Sequence, residues 1–96
     1  MKFYIKHSMT GRLRVHMDMK HMSFKQADIL EYYIKNIETV TSVKVYEKTC
    51  DAVIEFSGDK VQIINALKHF TYSQVAVPDD VLNSSGREMN SYYQDK

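Results

Sequence analysis

The chain has 96 residues but only one cysteine, one proline, three glycines and no tryptophan. A single thiol, Cys50, excludes an internal disulfide and any multi-thiolate metal site within one chain. So few glycines leave no room for a Gly-rich phosphate loop. No run of about 18 apolar residues occurs, and no charged-then-apolar leader opens the chain. The expectation is therefore a soluble, cytoplasmic domain. One absence is local: the first acid is Asp18, so Lys2, Lys6, Arg12 and Arg14 precede every carboxylate. Net charge over the whole chain is only +1, which gives no general attraction to nucleic acid or anionic lipid. The basic charge is concentrated at the front.

What is present patterns cleanly. From Phe3 to Met17 the odd positions read Phe, Ile, His, Met, Gly, Leu, Val, Met, and the even ones are polar or basic. Period two is strand alternation with an apolar and a basic face. Gly11 breaks it, which predicts two strand pieces, about 2–8 and 11–17, joined at a bulge or bend. By parity His7 and His16 then lie on opposite faces unless that irregularity reverses one of them. Ser23 followed by Gln26 is a capping box. Ala27, Leu30, Ile34 and Ile37 continue at steps of three and four, predicting a helix over 24–37 with a Glu31–Lys35 pair on its wet side.

Alternation returns in "TSVKVYEKTCDAVIEF" (41–56). Val43 and Val45 face one way, and Ala52, Ile54 and Phe56 return inward after a turn around Glu47–Asp51. The short connection predicts an antiparallel hairpin. Gly58 and Asp59 open a second helix with Val61, Ile64 and Leu67 as its stripe, and "SQVAV" (73–77) reads as a final strand before Pro78. The order β-α-β-β-α-β predicts an α+β ferredoxin-like sandwich, a four-stranded antiparallel sheet with both helices on one face. Residues 1–77 form the domain, and the polar residues 78–96 read as a tail or linker.

These residues resemble a known family. "VTSVKVYEKTCDAVIEF" (40–56) is similar to the hairpin of heavy-metal-associated domains. "HSMTGRLRV" (7–15) resembles the His-x-x-x-Gly-Arg-x-Arg start of a divergent, arginine-rich branch, through His7, Gly11, Arg12 and Arg14. Such domains precede the membrane portion of P-type metal-transporting ATPases, here the iron-transporting members associated with ferrosomes in anaerobic bacteria. The resemblance implies a cytosolic N-terminal regulatory, metal-sensing or docking domain, tethered to a membrane through the rest of the pump. It also implies that ATP hydrolysis belongs to that remainder. One departure is plain: the family's Met-x-Cys-x-x-Cys loop here reads "DMKHMS" (18–23), without cysteine.

Two site hypotheses follow. A metal site would draw on His16, Met17, Asp18, Met19, His21 and Met22, whose thioethers and imidazoles suit Cu(I), or Fe(II) through the harder donors. Against it, methionines on an apolar stripe ordinarily fill cores. A docking motif would comprise His7, Gly11, Arg12, Arg14 and His16, of which Arg12, Arg14 and His16 occupy the open sheet face, with Lys44 and Tyr46 beside them and Glu55 as a partner for one arginine. Guanidinium groups on a rigid strand suit carboxylates, phosphates or lipid head groups of the inner leaflet. The alternatives are a stand-alone metallochaperone-like domain using the Met/His loop, or a module that dimerises through its sheet. Nucleic acid is not expected, because only Tyr46 offers a clear stacking surface. Catalysis is not expected either, since no nucleophile–base spacing appears and Cys50, in a polar turn, is open to oxidation but lacks a base.

Overall fold

The computed structural model describes residues 1–72 and Val75. Its elements are β1 (Phe3–Met9), β2 (Arg12–Met17), α1 (Phe24–Lys35), β3 (Val40–Tyr46), β4 (Asp51–Phe56) and α2 (Val61–Lys68). The strands form one four-stranded sheet in the order β1-β2-β4-β3, with every neighbouring pair antiparallel. A four-stranded antiparallel sheet with two helices is the expected ferredoxin-like α+β class.

The fourth described strand comes from an unexpected place. The opening segment does not run on as one bent strand; it folds back on itself. Met9 pairs with Arg12 across a two-residue loop, Thr10–Gly11, and β1 then lies along the outer edge of β2. Gly11 permits the reversal at φ 76°, a left-handed conformation that costs a residue with a Cβ about 1–2 kcal/mol. Elements β2, α1, β3, β4 and α2 keep the predicted order. The expected strand at 73–77 and the tail at 78–96 lie outside the described residues, apart from Val75, which packs against the core.

Both helices cover one face of the sheet. Leu13, Val15 and Met17 of β2, Val45 of β3, and Ala52 and Ile54 of β4 are fully buried against Leu30 and Ile34 of α1 and Ile63 and Leu67 of α2. Burying each of the larger side chains contributes about 1.5–3 kcal/mol. Helix α1 begins at the predicted capping box, with Gln26 N donating to Ser23 Oγ (3.0 Å) and Ser23 N to Gln26 Oε1 (2.9 Å). It closes two residues early, where Asn36 Nδ2 donates to the Tyr32 carbonyl (2.7 Å).

Ahead of α2 the Asp59 carboxylate accepts from Val61 N (3.0 Å), an Asx-type turn one residue before the N-cap Lys60, whose own side chain makes no cap bond. The stripe differs from the expected one. Ile63 and Leu67 are buried while Val61 is 52% exposed, because a step of four keeps residues on one helical face better than repeated steps of three. Glu31, expected beside Lys35 in solvent, reaches β3 instead: its Oε2 accepts from Val45 N at 3.1 Å. That bond satisfies a donor on an edge strand, where free backbone groups invite unwanted pairing.

Candidate functional site

The sheet face away from the helices follows from the parity of β2. With Leu13, Val15 and Met17 turned to the core, Arg12, Arg14 and His16 project the other way. Arg12 and Arg14 are exposed and His16 is half-buried. The β1–β2 register adds Tyr4 opposite His16, His7 opposite Arg14 and Met9 opposite Arg12. A bulge between Ile5 and His7 shifts the alternation, since an inserted residue moves later side chains to the other face. The parity expectation for the histidines is thereby corrected. His7 and His16 share one face, with Arg14 opposite His7 and Tyr4 beside His16.

Beneath these cations lies a residue that sequence reasoning had left in a turn. Asp51, the first residue of β4, is fully buried. It pairs across the sheet with His16 on one side and Tyr46 on the other. Three side chains converge on its carboxylate: His16 Nδ1 at 2.7 Å from Oδ1, Arg14 Nη2 at 3.0 Å and Lys6 Nζ at 3.1 Å from Oδ2. An unpaired buried carboxylate would be prohibitively costly. Burial pushes the Asp51 carboxyl pKa up, but the hydrogen bonds from His16, Lys6 and Arg14, with the Lys6 charge, outweigh it and hold the group below its ordinary value. The ionised carboxylate only accepts, so His16 must donate its Nδ1–H. The Tyr4 ring packs over the imidazole, with centroids 5.0 Å apart.

The geometry sorts the cations by commitment. Arg14 gives one Nη to Asp51 and keeps its other donors, its side chain 45% exposed. Arg12 makes no ion pair among the described residues and faces Glu55 across β4. Lys6, His7, Met9, Arg12 and Arg14 together line a shallow groove. Gly11 fixes the turn that holds its two strands. The Gly11 carbonyl accepts from Phe56 N (3.0 Å), and a Cβ on Gly11 would sit 3.3 Å from the Phe56 carbonyl oxygen.

The six residues of the metal hypothesis are not brought together. Met17 and Met22 are buried in the core. Met19 packs against that core, its sulfur accepting from the Tyr72 hydroxyl at 3.6 Å. His16 points to the opposite face and is bonded to Asp51, while Asp18 and His21 are exposed. Among the described residues no three His, Cys, Asp or Glu side chains are arranged to hold a metal ion.

Cys50 also differs from expectation. It occupies the turn before β4 at φ 60°, is 3% exposed, and donates its thiol to the Glu47 carbonyl at 3.8 Å. Burial, and then the neighbouring Asp51 charge, raise its pKa, so the turn shelters the thiol from oxidants. The Tyr72 hydroxyl is pushed up to about 12, chiefly by burial and secondarily by Cys50.

Asp51, Lys6 and Tyr4 are the members that sequence reasoning missed. One signal was available: Asp51 stands immediately before an alternating strand, in a chain whose first four cations have no acid near them in sequence. No family model matches the chain, and neither curated proteins nor solved structures yield a match. No helix among the described residues is long and apolar enough to cross a membrane.

Proposed function

We propose that this chain is a docking and regulatory domain that engages an anionic partner through the helix-free face of its sheet. Following the resemblance of its opening and hairpin segments, we place it as the cytosolic N-terminal domain of a P-type heavy-metal ATPase with iron as cargo. The observation that carries the reading is the buried Asp51 carboxylate with its three basic partners. It immobilises cations on an exposed surface and leaves Arg12 uncommitted. Lys6, Arg14 and His16 neutralise Asp51, but Arg12 is not needed for that, and recognition of a carboxylate or phosphate by a guanidinium fork benefits from a donor on a fixed strand.

In this reading the domain contributes no bond-making chemistry. ATP hydrolysis and ion translocation belong to the remainder of the pump, and the Arg12/Arg14 strand contacts that remainder, a partner protein or the inner leaflet. The test is the double substitution Arg12→Ala/Arg14→Ala in the full-length pump. Metal transport or localisation should fail while the isolated domain keeps its circular dichroism spectrum. Wild-type transport by the double variant removes the docking role.

A further inference from the structure

The groove on the open face is built by two strands whose register is fixed. His7 stands across from Arg14 and Met9 across from Arg12, and opposed residues in an antiparallel pair have Cβ atoms about 5 Å apart. Lys6 joins from the bulged side of β1. Nitrogen donors from both strands therefore border one shallow volume. Asp51 draws Lys6 Nζ and only the Nη2 nitrogen of Arg14. A guanidinium carries five N–H donors, so the rest of Arg14 remains available. Arg12 is available entirely, as it has no ion pair among the described residues.

Charge selects the ligand class. Lys6, Arg12 and Arg14 supply three full positive charges to the groove lining, and Asp51 is the one acid bonded to that lining, leaving an excess of two. Glu55, opposite Arg12, lowers this excess locally, and Lys44, opposite Val53 on the same face, restores part of it from one strand farther away. A carboxylate would neutralise half of that excess. A phosphate monoester carries about −1.5 to −2 near neutral pH and presents three acceptor oxygens that match planar guanidinium forks.

We infer that the Lys6/His7/Arg12/Arg14 groove is a binding site for a terminal phosphate group, with Arg12 as its principal ligand and Arg14 held ready by Asp51. The inference rests on the docking reading and names the chemical group that the docking face takes. Met9, 56% exposed at the groove wall, offers an apolar neighbour to whatever an esterified phosphate carries.

The experiment is an isotope-edited NMR titration of the chain with sodium phosphate, glycerol 3-phosphate and acetate, at about pH 7.5, where phosphate is mainly dianionic, and at fixed ionic strength. Both phosphates should give saturable shifts confined to the 6–14 hairpin, and acetate should not saturate. Arg12→Ala, a change at an exposed side chain, should weaken binding about tenfold or more, the loss of one charge-assisted contact. Arg12→Lys, which keeps the charge but loses the fork, should fall between. Tighter binding of glycerol 3-phosphate assigns the site to an esterified phosphate, and equal constants assign it to the free ion. Linear shifts that match between phosphate and acetate, or an unchanged constant in Arg12→Ala, overturn the inference. The two readings separate cleanly. Loss of transport in the double variant without phosphate binding keeps the docking face and discards the phosphate. Phosphate binding with normal transport does the reverse.

Discussion

Replacing Asp51 by asparagine keeps the shape of the side chain and removes its charge. In the parent, three donors share two carboxylate oxygens within a fully buried position. A hydrogen bond to a charged group contributes about 1.5–3 kcal/mol when well shielded. Lys6 and Arg14 are nearly half exposed, at 46% and 45%, so water screens them and each approaches the exposed-pair range of about 0.2–1 kcal/mol. His16, at 25% exposure, retains more. The asparagine NH2 cannot bond Lys6 or Arg14, which only donate, and it can bond His16 Nδ1 only if the imidazole moves its proton to the other nitrogen. The carboxylate's own desolvation opposes these gains and is relieved by the change. The balance is a loss of about 2 kcal/mol. With a urea slope of about 1 kcal/mol/M for a domain of this size, the unfolding midpoint should drop by about 2 M. The pH dependence has a definite sign. The folded pKa of Asp51 is lowered from 3.8, so its contribution is complete above that value and disappears as pH falls through the folded pKa. The gap between parent and Asp51→Asn should therefore be constant near neutrality and close below about pH 4. A midpoint within about 0.3 M of the parent at neutral pH would refute the reasoning, because it means that desolvation cancels all three bonds.

Other outcomes are equally definite. Gly11→Ala combines a left-handed backbone with a Cβ at 3.3 Å from the Phe56 carbonyl oxygen, and should cost about 1–2 kcal/mol in urea unfolding. Ser23→Ala removes the cap of α1 and should cost about 1 kcal/mol by the same measurement. Cys50 should react with an aromatic disulfide reagent on the order of a hundredfold more slowly in the native protein than in urea, given its burial and raised pKa. Equal rates in the two states would show that the turn does not shelter the thiol.

Local signals in this sequence were legible, and long-range ones were not. The Ser23–Gln26 box and the alternation of residues 52–56 each rest on neighbours a few positions apart, and both read directly. The opening segment misled because Thr10–Gly11 lacks the Asn-Gly or Asp-Gly signature of a tight hairpin. Apolar alternation continues on both sides of that loop, so one bent strand and two paired strands look alike. The bulge at Lys6 then altered parity and moved His7 to the face of His16. Met17 is next to His16 in sequence, yet a strand turns adjacent side chains to opposite faces of the sheet. Asp51 was the hardest to see, since its partners lie 35, 37 and 45 positions away. They meet only when β1 pairs with β2 and β2 with β4.

The basic face has its shape because one buried carboxylate gathers the cations around it, and the carboxyl itself can be observed. Carbon-detected NMR of Asp51 across an acid titration should give a midpoint below 3.8, the ordinary aspartate value, and substitution of Lys6 and Arg14 by methionine should raise it. A midpoint at or above that value in the parent, unmoved by the substitutions, would mean that the cations do not hold the carboxylate and that the face is not organised around it.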